Sequence, residues 1–216
     1  MGEHAIGRKL ARLLARDFEI RDTGIPTGPD ERFLLSSPAI GECLKNESQS
    51  AWVFIDIKSV GPRDAAPHAV MSHNQISGDG VWTKPDKGIK NSVMNQTGLR
   101  VQHKFHCSIP PLYVLSDGIV APVVHLVVKP IYRMLSLTKP EATGQPLREI
   151  AVVCIPNGLL LACNPGYLKQ HPNLFFPGKD DKTKNPLKIR ARVSFDILRT
   201  IADWRVRFLN FEAPAI

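Results

Sequence analysis

The run Ala51–Asp64, AWVFIDIKSVGPRD, constrains this chain more than any other stretch. Trp52, Val53, Phe54 and Ile55 form a dense apolar and aromatic block, the pattern of a strand in the middle of a sheet. Asp56 and Lys58 interrupt it. On an extended chain, residues two apart point to the same face. This strand therefore carries a carboxylate and an ammonium side by side, while Ile55 and Ile57 point the other way. Burying either charge alone is costly, so the pair needs a reason. A structural ion pair at a strand end is one reason; a catalytic or metal-holding pair is another. Asp-x-Lys alone does not separate them.

The chain leads up to this strand through three segments. A helix is expected at about Glu3–Asp17, with Ile6, Leu10, Leu13, Leu14 and Phe18 as its apolar stripe. Arg8, Lys9, Arg12 and Arg16 occupy much of the rest, as a solvated basic face or as phosphate contacts. Glu3 lies three residues before Ile6, on the inward side, and could aim a carboxylate at the core or at a site. Gly24, Pro26, Gly28 and Pro29 make a loop that ends in Pro29-Asp30. A helical or irregular piece over about Glu31–Lys45 is expected to follow.

Beyond Lys58 the chain leaves the sheet through Gly61-Pro62 and presents Arg63 and Asp64. His73, Asn74, Gln75, Asp79 and Gly80, within Ser72–Gly80, read as a contact loop, and Lys84 to Asn95 as polar loop. Strands are expected at Leu99–Cys107, Leu112–Leu115, Ile119–Val128 and Ile150–Ile155, with a further apolar run at Leu159–Cys163. Ser116-Asp117-Gly118 suits a hairpin turn. His103, His106 and Cys107 invite a zinc reading, but no second ligand pair has zinc-site spacing. His125, in an alternating strand, reads as a satisfied sheet residue.

The last third holds a second strong feature. A charged loop, Pro177–Asn185, feeds PLKIRARVSF, in which Lys188, Arg190 and Arg192 alternate with apolar residues. Three like charges along one strand face repel one another unless an anion lies over them. An edge strand guarded against aggregation is the plain alternative. Two arginines beside the Lys-Asp-Asp of the loop favour DNA contact, since Arg and Lys bind guanine O6 and N7 and Asp accepts from cytosine N4. The net charge of +8 also favours a polyanionic partner. Ser194 is expected to cap a final helix at about Phe195–Asn210, with Leu198, Ile201 and Phe208 on its apolar side.

Phosphodiester hydrolysis needs an activated water, a stabilised leaving oxygen and charge relief on the phosphate, which hard cations held by oxygen ligands supply. Asp30 and Asp56 would be the metal carboxylates, the Ile57 carbonyl a third ligand, and Lys58 the partner of the attacking water or of the phosphate. The pattern is Pro-Asp, a long gap, then Asp-x-Lys.

Pro29-Asp30 with Asp56-Ile57-Lys58 resembles the PD-(D/E)xK nuclease motif. Within that superfamily the chain resembles the BglI family of type II restriction endonucleases, from about Glu3 to the last helix. The long gap between the two aspartates matches, as do the residues with which that family reads its site: Asp64, Lys179 and Asp181, Arg190 and Arg192. A further match, to a helix acid, would fall on Glu3. The chain is expected to be shorter than its relatives, lacking an N-terminal extension. The resemblance implies an α/β fold: a nuclease core with a mixed central sheet flanked by helices, and an added DNA-reading β region. It implies a homodimer cutting double-stranded DNA with Mg²⁺ at an interrupted palindrome with G·C-rich half-sites, leaving 3′ overhangs.

The 216 residues carry no internal repeat or low-complexity linker, so one domain is expected over 1–216. Cys43, Cys107, Cys154 and Cys163 form no C-x-x-C, and neither a signal peptide nor a membrane span is expected. A protein with reduced thiols in a prokaryotic cytoplasm, with no membrane partner, is the expectation. Two other readings stand beside the restriction enzyme. A repair or junction nuclease of the same superfamily would read DNA shape, and a non-catalytic DNA-binding protein would use Asp56 and Lys58 as a structural pair.

Overall fold

The computed structural model describes residues 9–22, 30–44, 49–58, 66–71, 92–97, 104–109, 112–114, 120–132, 147–158, 160, 164, 166–177 and 191–211. In chain order the strands are β1 (Glu19–Asp22), β2 (Glu31–Ser36), β3 (Ser50–Ile57), β4 (His68–Met71), β5 (Ser92–Thr97), β6 (Lys104–Ile109), β7 (Leu112–Val114), β8 (Val120–Tyr132), β9 (Leu147–Ile155), β10 (Phe175–Pro177), β11 (Ala191–Ser194) and β12 (Val206–Asn210). Helical turns occupy 9–14 (α1), Pro38–Leu44 (α2), Tyr167–Gln170 (α3) and Phe195–Ile201 (α4).

Seven strands form one sheet in the order β1-β2-β3-β8-β9-β12, with β7 added on β8. Only the β3–β8 pair is parallel among the described pairings, so the sheet is mixed. Every residue of β3 is buried. Trp52 and Phe54 pack on one face with Leu34, Ala121 and Val123. Val53, Ile55 and Ile57 pack on the other with Phe33, Leu35 and the half-buried Leu10, Leu14 and Phe18 of the N-terminal turns. The first face continues across β8 and β9 as Val127, Val153 and Ile155, and is closed by Tyr167, Phe195 and Leu198. Helices thus cover both sides of the sheet, the α/β arrangement expected.

A second sheet has the order β10-β11-β4. Its inner face, Ala69, Phe175 and Val193, is fully buried against the main core. A separate hairpin pairs β5 with β6.

Several expectations need correction. Glu31–Ser36 is not helical but a strand antiparallel to β3; only Pro38–Leu44 is helix. The apolar run Phe33-Leu34-Leu35 is buried on both faces, and such a run has no period that separates strand from helix. Leu13 is not in the apolar stripe of the first helix; it is exposed. The polar segment ending at Asn95 enters β5 at Ser92. Of the strand expected over Leu99–Cys107, the described part is strand from Lys104 on, and 99–103 lie outside the described residues. The last helix stops at Ile201. A 3₁₀ turn, Asp203–Arg205, then turns the chain into β12, which pairs with β9. The Ser194 cap is as expected: its hydroxyl accepts from the Ile197 amide at 3.3 Å. The hairpin across Ser116–Gly118 is supported by antiparallel pairing of β7 and β8, although 115–119 lie outside the described residues. No helix among the described residues is long and apolar enough to cross a membrane.

Candidate active site

The pairing of β2 with β3 closes the gap between Asp30 and Asp56. Glu31 is in register with Ile55, so Asp30 falls beside Asp56 where the pairing ends. Asp30 Oδ2 accepts a hydrogen bond from the Ile57 amide at 2.6 Å. On an extended strand the N–H and C=O of one residue point to the same edge, so the Ile57 carbonyl faces the edge on which Asp30 sits. The Lys58 amide turns the other way and donates to the Val128 carbonyl at 2.8 Å, fixing the end of β3 on its parallel neighbour.

Asp56 is fully buried and Lys58 is 17% exposed, with Lys58 Nζ 2.7 Å from Asp56 Oδ2. Burial is the largest influence on Asp56 and pushes its pKa from 3.8 up to about 7. Lys58 partly offsets that rise, by charge and by hydrogen bonding, and the facing Asp30 carboxyl adds to it. Two carboxylates forced together at the end of a buried strand, beside a backbone carbonyl, form an all-oxygen donor set. That set fits a hard divalent cation, whose charge would offset both the burial that chiefly raises the Asp56 pKa and the smaller repulsion from Asp30. Two carboxylates are too few for a closed cage and leave room for waters and phosphate oxygens, as magnesium sites do.

The structure thus brings Asp30, Asp56, Ile57 and Lys58 together. Arg192 lies elsewhere, on the second sheet, in register with Phe176 and Val70. Glu3, Asp64, Lys179, Asp181, Lys188 and Arg190 lie outside the described residues, as do His103 and the loop over 72–80.

Sequence reasoning does not single out some other residues around the site. Arg32 is buried two residues after Asp30, with its guanidinium 5.7 Å from the Phe54 ring centroid. Lys129 is buried on the Asp56 face of β8, two positions beyond Val127, the register partner of Asp56. Its ammonium donates to the carbonyls of Ala66 and His68, each at 2.8 Å. Together with the Phe195 amide, which donates to the Pro67 carbonyl at 2.9 Å, it pins the chain just after Asp64. A lone lysine within VVHLVVKPIY is the signal that could have found it, since a charge inside a buried run needs partners. His125 corrects an expectation: it is buried, its ring stands edge-on to Phe54, and neither ring nitrogen has a hydrogen-bond partner among the described residues. Burial, and secondarily Lys58, lowers its pKa to about 4.

Comparison with known proteins gives one consistent answer. The sequence model of the family described as restriction endonuclease BglI matches residues 1–209. The chain is 50% identical over 205 residues to the type II restriction enzyme BglI of Bacillus subtilis, a match covering 93% of this chain and 68% of that protein. Its structure is similar to the crystal structure of the restriction endonuclease BglI bound to its DNA recognition sequence. That match has a TM-score of 0.80 at 48% identity and covers 97% of this chain and 71% of the other. The tetrameric restriction endonuclease SfiI bound to cognate DNA matches with a TM-score of 0.63 over 98% of this chain and 71% of that one. At 17% identity this likeness speaks for the fold alone.

Proposed function

The chain belongs to the BglI family of restriction endonucleases, and we propose that it is a Mg²⁺-dependent type II enzyme that hydrolyses double-stranded DNA at an interrupted palindrome with G·C-rich half-sites. The observation that carries the reading is the convergence of Asp30, Asp56, the Ile57 carbonyl and Lys58 at the end of one buried strand pair.

Asp30, Asp56 and the Ile57 carbonyl would hold the metal. When bound, Mg²⁺ supplies charge relief on the phosphate and activation of the attacking water. Asp56 holds the Lys58 ammonium at the strand end, where its remaining protons are donors for the water or for a phosphate oxygen. Asp30, tied to the Ile57 amide, orients the carbonyl-bearing edge of β3. Burial of Asp56 keeps bulk water from competing for these contacts.

Arg190, Arg192, Asp64, Lys179 and Asp181 read base edges in this proposal, and Lys188 contacts phosphate. A palindromic site calls for a two-fold symmetric protein, so the working form is a homodimer, each subunit cutting one strand. The cuts leave 3′ overhangs, and 1–216 acts as one domain in the prokaryotic cytoplasm.

Plasmid DNA incubated with the protein and Mg²⁺ should give discrete fragments whose sequenced ends share one interrupted palindrome. A smear with no common end sequence would replace this reading with a shape-reading nuclease. Intact plasmid over the whole range of protein would leave only a DNA-binding protein.

A further inference from the structure

The outward face of the second sheet holds an arrangement that the catalytic pair does not use. Its inner face is core, so by alternation His68, Val70, Phe176 and Arg192 share the outer face and are each half-buried. Phe176 and Arg192 are direct cross-strand partners. The Arg192 guanidinium carbon lies 6.0 Å from the Phe176 ring centroid. His68 stands edge-on to the same ring, with centroids 5.7 Å apart. The backbone carbonyl of His68 is in turn held by Lys129 of the main sheet.

Arg192 Nε is covered and has no hydrogen-bond partner among the described residues. Its covered Nε and the ring beside it limit the rotamers open to a long, flexible side chain. The two terminal nitrogens are left as its donors. Bidentate reading of guanine needs a planar fork held at one angle, and the entropy of holding it is lower when the protein has already fixed the plane.

We propose that Phe176 is a positioning residue for sequence specificity: with the His68 ring at its edge, it fixes the plane in which the Arg192 guanidinium meets a base pair. This rests on the reading of the chain as a site-specific nuclease. A cation over an aromatic face is a modest interaction, so the signature is selective and not catastrophic. Phe176→Leu should lose between about threefold and thirtyfold in discrimination at one base pair. Other positions of the site and affinity for unrelated DNA should hold.

The test is equilibrium binding in Ca²⁺ to the cognate site, to every single-base change in it and to unrelated DNA. The proteins are wild type, Phe176→Leu, Phe176→Tyr, Arg192→Ala and the Phe176→Leu/Arg192→Ala double variant. The base pair affected by Phe176→Leu should be the one affected by Arg192→Ala. The double variant should be no worse than Arg192→Ala, and Phe176→Tyr should behave as wild type. His68→Gln, which removes the ring edge but keeps the carbonyl that Lys129 holds, should show the same signature more weakly. If wild type has a fixed site but Phe176→Leu weakens all sequences alike, acts at a different base pair or adds fully to Arg192→Ala, this inference fails alone. If wild type prefers no sequence, the functional reading fails and takes this inference with it.

Discussion

The Asp30 carboxylate accepts a hydrogen bond from the backbone amide of Ile57 at 2.6 Å. This contact joins two parts of the chain that β2, α2 and the length of β3 separate in sequence. It also decides which edge of β3 carries the site. The odd residues of β3 present their backbone groups toward β2, and β2 begins at Glu31, so the Ile57 amide and carbonyl find no strand partner there among the described residues. Asp30 takes the amide. The carbonyl shares that edge.

Asp30→Asn should keep an oxygen acceptor for the Ile57 amide and so should fold normally. It should nevertheless lose cleavage by about a thousandfold or more, because roughly 4 kcal/mol of charge stabilisation depends on the carboxylate. Asp56→Ala should lose cleavage equally, and both should bind the site in Ca²⁺. Lys58→Ala should also be inactive while still binding metal. Single-turnover cleavage with a parallel binding measurement checks this, and full activity in the Asp56 variant would remove it from the site.

All-oxygen ligation predicts cleavage with Mg²⁺ or Mn²⁺ and none in chelator. Ca²⁺ should support site binding without cutting, being larger and a poorer Lewis acid for this reaction. Activity titrations after exhaustive chelation check the order. Stoichiometric zinc held through His103, His106 and Cys107 would show a different centre.

Much of this site is legible in the amino-acid sequence. The unbroken apolar run of β3 forces a central strand, and the two-residue period places Asp56 and Lys58 on one face. Features that depend on distant partners are not legible in the same way. β2 has the look of a helix because Phe33-Leu34-Leu35 is buried on both faces and has no period of its own. β12 merges into the preceding helix because Leu198, Ile201 and Phe208 share a helical spacing. The turn at Asp203–Arg205 resets that spacing, and Val206 and Phe208 then alternate with exposed Arg207 and Leu209. The role of Lys129 is hidden because both its carbonyl partners lie some sixty residues away.

The Lys188–Arg192 segment should divide by function. Lys188→Ala should weaken all sequences alike and reduce the salt slope of binding by about 1. Arg190→Ala should instead cost roughly 1–3 kcal/mol at one base pair. Asp64→Ala should relax specificity while non-specific affinity holds or rises, since a carboxylate near phosphate is repelled unless a base amino group compensates. Lys179 and Asp181 should follow the same base-selective pattern. Uniform losses for Arg190 and Asp64 at two salt concentrations would reduce them to backbone contacts.

Lys129→Met should destabilise the fold by about 2–4 kcal/mol, because it leaves the Ala66 and His68 carbonyls without a buried charged donor. Lys129→Arg, still able to donate to two carbonyls, should recover part of that. Denaturant unfolding gives the number, and a Lys129→Met protein as stable as wild type would mean the pinned segment has other support.

The pH dependence of stability without divalent cations should reveal two groups working against each other. Asp56 has its pKa raised from 3.8 to about 7, chiefly by burial. Through that window the folded protein keeps a proton that the unfolded chain has released, so stability falls as pH rises, and the penalty is complete above the folded value. His125 has its pKa lowered from 6.5 to about 4, again chiefly by burial. Between those values the unfolded chain takes up a proton that the folded protein refuses, so stability rises with pH. Each slope has a ceiling of about 1.4 kcal/mol per pH unit, and the windows overlap, so the wild type should be nearly flat across the overlap. His125→Leu should expose the falling limb, losing stability from pH 4 toward 7. Asp56→Asn should expose the rising limb, gaining stability from pH 4 toward 6.5. Urea unfolding of the three proteins in chelator at half-unit pH steps makes the comparison. Three parallel curves would mean that neither group carries the linkage its burial implies.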